Sequence, residues 1–172
     1  RTRPCFLVLR HKHLFGDGQL GQSNEEHFLS GPLRASNVAD SVEYYYEVDR
    51  SGGLLNDRKL VDLVMQARPD VMVLSSHTPR AIQYPQFEVL QAIRSECRIP
   101  IVAFLADTTT AGAVHQCSLM SPIVDLNVLL DSGALAEHFS NASPFLHLWT
   151  PLDFSVFHSN GGPRDIPVSF VG

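Results

Sequence analysis

Six short apolar runs alternate with helical patterns along this chain, and that alternation limits its fold more than any other feature. Cys5-Phe-Leu-Val-Leu9, Val71-Met-Val-Leu74 and Pro100-Ile-Val-Ala-Phe-Leu105 are apolar throughout and of strand length, too short for helices. Ser41–Val48, Leu126–Leu130 and Phe145–Leu148 complete the set, the first rich in aromatic and β-branched residues. Strands that are apolar on both faces and alternate with helices imply a parallel sheet covered on both sides. The expected fold is therefore α/β, a three-layer, doubly wound, Rossmann-like parallel sheet of about six strands.

The helices are expected between these runs. Ser23-Asn-Glu-Glu26 has the form of a capping box, with a hydroxyl and a carboxylate on orphan backbone donors. That helix points towards Ala39, and Gly31-Pro32 is expected to kink or divide it. Asn56 is the expected cap of the next helix, whose Leu60, Leu63, Val64 and Ala67 form one apolar stripe before Pro69 ends it. A helix starting at Pro85 turns Phe87, Leu90 and Ile93 inward and Arg94 and Glu96 outward, and shorter helices fit 111–119 and 133–139.

At 172 residues the chain is about one domain long. A net charge of −5 gives no basic surplus for a sequence-independent grip on nucleic acid. No apolar run approaches the ~20 residues that span a bilayer. With no secretory signal, a cytoplasmic protein is expected, in which Cys5, Cys97 and Cys117 are buried, reduced thiols. Their spacing suits no metal, and no histidine pair has the H-E-x-x-H form.

In an open parallel sheet, ligands sit beyond the carboxyl ends of the strands. Four loops there carry polar or glycine-rich content. In the first, Gly16, Gly18 and Gly21 match G-x-G-x-x-G by letters, and Asp17 and Gln19 lie among them. Such glycines let a backbone approach phosphate. However, His11 to Phe15 separate the motif from its strand, and the acidic residue expected ~20 positions on is misplaced, with Glu47 and Asp49 nearer thirty, so the dinucleotide fingerprint fits poorly. A ligand-contacting loop and a plain flexible connection both remain open. After the third strand, His77 suits acid–base work or a hydrogen-bonded loop position. After the fourth, Asp107 suits either orientation of a base or a helix cap. In the fourth loop, Asp131 or Ser132 reads as a helix cap.

Thr150-Pro-Leu-Asp153 followed by Phe157 resembles the hinge pattern of GT-B glycosyltransferases. Arg164-Asp-Ile-Pro-Val-Ser-Phe-Val-Gly172 resembles the opening strand of the C-terminal domain in the CgeB-like, spore-maturation branch. Gly16-Asp-Gly-Gln19, Arg68-Pro-Asp-Val71 and Ile99-Pro-Ile-Val102 leading to Asp107-Thr108 fit the same branch. Leu152 departs from the Gly or Val that many relatives carry before the Asp.

The resemblance spans essentially the whole chain as one half of a GT-B enzyme. It implies an acceptor-side domain over 1–150, a hinge over 151–163 carrying Pro151, Asp153 and Phe157, and the first strand of a donor domain over 164–172. It also implies transfer from a nucleotide-sugar donor to an acceptor without a metal. The loop holding Gly16, Asp17, Gly18, Gln19 and Gly21 would then face the donor phosphates, with His77 and Asp107 as candidate bases. A chain that opens without Met and stops one strand into a second domain is expected to be part of something longer, inactive alone. Its exposed cleft face or last strand is the expected route to self-association. A stand-alone Rossmann-like nucleotide binder and a non-catalytic interaction module are the competing expectations.

Overall fold

A computed structural model describes residues 2–13, 18–46, 53–75, 85–105, 115, 118–130 and 144–148. Among these, β1 (Cys5–Arg10), β2 (Asp40–Tyr45), β3 (Val71–Ser75), β4 (Ile101–Leu105), β5 (Leu126–Leu129) and β6 (Phe145–His147) form one sheet. Its order is β2-β1-β3-β4-β5-β6, and every neighbouring pair is parallel. The chain is thus a doubly wound α/β fold of the Rossmann-like kind, with the flavodoxin-like order in which progression reverses at β1.

Helices lie on both faces. α2 (Gly53–Ala67) and α3 (Phe87–Glu96) cover the face that presents Leu7, Leu9, Met72, Leu74 and Ile101. The stripe on α2 packs as expected, with Leu60 and Val64 buried and Leu63 against the cluster. A helical stretch over 24–36, comprising a π turn (Glu26–Ser30) and α1 (Gly31–Ser36), covers the opposite face through Phe28, Leu29 and Leu33 on Val8 and Val73. Burying a Leu or Val side chain contributes ~1.5–3 kcal/mol, so these two apolar layers are what hold the sheet between its helices.

Two aspartates close the amino edge of the sheet. Asp70 donates its N–H to the Cys5 carbonyl at 2.8 Å, and its carboxylate accepts the Cys5 N–H at 2.7 Å. Asp125 repeats the arrangement on Ile101, at 2.8 and 2.9 Å, and also accepts from Arg94. Each satisfies the first N–H of a strand that has no ladder partner at that point.

Three expectations need correction. α2 begins at Gly53, so Asn56 lies inside its first turn and not at its cap. β2 ends at Tyr45 and not Val48, because its register partner Arg10 is the last residue of β1. Cys97 is exposed just past α3, while Cys5 is buried as expected. Cys117 and the expected helix over 133–139 lie outside the described residues, as do the proposed hinge and final strand. Among the described residues no helix is long and apolar enough to cross a membrane.

Candidate functional site at the carboxyl edge of the sheet

The reversal at β1 leaves the carboxyl ends of β1 and β3 side by side, with the helices that follow them on opposite faces of the sheet, the usual place for a ligand in such folds. β1 ends on Arg10, which is only 3 % exposed. Side chains alternate along a strand, so Arg10 shares the α1 face with Val8, and Glu43 and Tyr45 on β2 share it too.

A buried guanidinium needs partners, and Arg10 has them on both sides. Nη2 donates to Glu26 Oε2 at 2.5 Å and to Glu43 Oε2 at 2.9 Å. Arg34, from α1, donates to the other oxygen of each carboxylate, to Glu43 Oε1 at 2.6 Å and also to Glu26 Oε1. Two arginines and two glutamates therefore alternate in a closed ring that is neutral overall. The Tyr45 hydroxyl donates to Glu43, and the Arg10 guanidinium lies 5.0 Å from the Tyr45 ring centroid. Burial alone pushes the Glu43 carboxyl up, but the Tyr45 hydroxyl and the charge and hydrogen bonds of Arg10 outweigh it and hold it below the ordinary value. The Tyr45 phenol is pushed up, first by burial and then by its bond to Glu43.

The same arginine fixes the base of the glycine-rich loop. Arg10 Nη1 donates to Ser23 Oγ at 3.2 Å and to the His11 carbonyl at 2.8 Å, and Ser23 Oγ donates to that carbonyl at 2.6 Å. Ser23 N–H donates to the Lys12 carbonyl, and His13 pairs with Gln22 in an antiparallel bridge. The loop over 13–22 is thus pinched at its two ends. Ser23 and Glu26 do not form the expected capping box. Both side chains are drawn inward to Arg10, because a buried charge gains more from them than an exposed helix end does.

Gly18 starts a 3-10 turn that ends at Leu20, Gln19 within it is exposed, and Gly21 has φ +87°. The helix starts only at residue 24. In a dinucleotide fingerprint the helix opens within the glycine motif, so Gly18 and Gly21 do not have that geometry. Gly16, Asp17, His77, Asp107, Pro151, Asp153 and Phe157 lie outside the described residues.

Around the pinched loop stand His11, edge-on to Tyr46 at 5.1 Å, and Lys12, over the Tyr45 ring at 5.6 Å. The Tyr46 hydroxyl donates to the Leu9 carbonyl at 3.0 Å, fixing that ring under the strand end. Ser75 ends β3 one position past the Leu9–Leu74 register pair, beside Arg10, and is buried. Ser75 Oγ and Arg10 Nε have no hydrogen-bond partner among the described residues. Both atoms are buried beneath the strand ends, on a base held by the neutral ring. Among the described residues no group of His, Cys, Asp or Glu is arranged to hold a metal.

Arg10, Glu43 and Tyr45 were not legible as site residues from local patterns. The available signal is a lone arginine ending an apolar strand, set against a glutamate in the aromatic strand that follows.

No family model matches this chain, and no curated protein matches it. Among solved structures, it is similar to the N-terminal domain of a response regulator receiver protein from Methanoculleus marisnigri JR1. The identity is 9%, the TM-score 0.40, and the match covers 78% of this chain and 89% of that one.

Proposed function

We propose that this chain is the acceptor-side half of a metal-independent GT-B glycosyltransferase, working with a nucleotide-sugar donor and inactive without its second half. The observation that carries the reading is the anchored glycine-rich loop at the carboxyl edge of a doubly wound sheet. The hinge-like run Thr150–Phe157 and the strand-like Arg164–Gly172 add the sequence resemblance. Sugar transfer requires stabilisation of charge developing on a diphosphate leaving group, and backbone donors on a pinched loop suit that task. It also requires water to be excluded by closure of two walls, of which this chain supplies one.

Hydrogen-exchange footprinting of the intact protein with UDP- and GDP-sugars tests the reading. Protection over residues 11–23 is expected. Protection confined to the amino edge, at Asp70 and Asp125, contradicts it. Tight nucleotide binding by residues 1–172 alone would instead favour a stand-alone nucleotide-binding domain.

A further inference from the structure

Pro32 lies in the first turn of α1, inside a helical stretch that runs over 24–36. Proline in a helix interior has no N–H to donate, and its ring collides with the carbonyl four residues back, here that of Phe28. A helix commonly kinks or stops at such a point. This one widens, and Gly31 N–H donates to the Glu26 carbonyl to close the π turn immediately before the proline.

The widening changes which residues share a face. Glu26 and Arg34 are eight positions apart, and at about 100° per residue an ordinary α-helix would leave them about 80° apart. A π turn takes in one extra residue. The pair then behaves like a seven-residue spacing, about 20° from alignment. That places both over the β1–β2 strand ends, where Glu26 meets Arg10 and Arg34 meets Glu43.

We propose that Pro32 sets the π turn, and that the π turn aligns Glu26 with Arg34 so that the four-residue ring can close. Through that ring, Pro32 governs how firmly Arg10 and Ser23 hold the base of the 13–22 loop. The device is independent of any sugar chemistry.

A structure of Pro32→Ala, with amide exchange over residues 18–23, is the test. The expected result is a regular α-helix over 24–36, with Arg34 turned away from both glutamates. Exchange over 18–23 is expected to rise about two- to fivefold, the size of effect that loss of exposed ion pairs produces. Arg34→Gln should give a similar rise with the π turn intact, which separates the ring from the helix. A Pro32→Ala protein that keeps the π turn at Glu26–Ser30 and both Arg34 pairs overturns the proposal. So does a Pro32→Ala protein that loses the π turn and leaves exchange over 18–23 unchanged.

Discussion

Arg10 Nη2 donates to Glu43 Oε2 at 2.9 Å across the β1–β2 pair, and the arginine making that contact is almost wholly buried. Removing one member of a buried ion network leaves its partners uncompensated and costs ~3–5 kcal/mol. Arg10→Met is therefore expected to lower the unfolding free energy, measured by urea titration, by that order. Arg34 joins the same carboxylates from a position 46% exposed, so Arg34→Met should cost about 1 kcal/mol or less. Equal losses for the two variants would contradict the view that Arg10 is the centre of the ring.

The ring also fixes the sign of the pH dependence. Glu43 is held below its ordinary 4.5, so it stabilises the fold above that value. The contribution is lost as pH falls through the lower folded value. Asp125 acts in the same sense, because the Arg94 hydrogen bonds pull it below 3.8 against a smaller opposing effect of burial. Tyr45 is raised above 10.0, so its contribution is present below pH 10 and disappears as pH rises through the folded value. Urea midpoints measured from pH 7 to pH 3 should fall, and Glu43→Gln should flatten that fall. An unchanged acid slope in Glu43→Gln would show that the carboxylate does not carry it.

Asp70→Ala should destabilise the protein although Asp70 itself is exposed. Its carboxylate is the partner of the Cys5 N–H, and Cys5 is 3% exposed. An orphaned buried donor costs ~1–3 kcal/mol. Thermal unfolding of the variant measures this, and a change within a few tenths of a kcal/mol would mean that water replaces the carboxylate.

Gly21 and Arg98 predict substitutions of opposite sign. Gly21 has φ +87° and open space where a Cβ would stand, so Gly21→Ala should cost ~1 kcal/mol through backbone strain alone. Arg98 has φ +56° just after α3, where glycine is the favoured residue. Arg98→Gly should stabilise by about 0.5 kcal/mol, since relief of strain is partly offset by a freer unfolded chain. Differential scanning calorimetry of the two variants reads both signs.

β1, β3, β4 and β5 lie where the apolar runs place them, because buried parallel strands announce themselves by composition. The stripe on α2 was equally legible, being set by helical period. What misled was local reading of polar residues. Ser23 and Glu26 carry the letters of a capping box, but their partner is Arg10, more than a dozen residues earlier and on another element. Asp70 and Asp125 look like loop residues, yet each completes the hydrogen bonding of a neighbouring strand. Pairings of this kind depend on strand order, and strand order is not written in any local pattern. The helix widening before Pro32 belongs to the same class, since a kink and a π turn are both answers to an interior proline.

Sugar transfer is tested by the release of nucleoside diphosphate by the intact protein from UDP- or GDP-sugars, with a mixed acceptor pool, with and without EDTA. Release is expected to persist in EDTA and to be absent when residues 1–172 are assayed alone. No release by the intact protein from either donor class, or robust turnover by residues 1–172 alone, would contradict it.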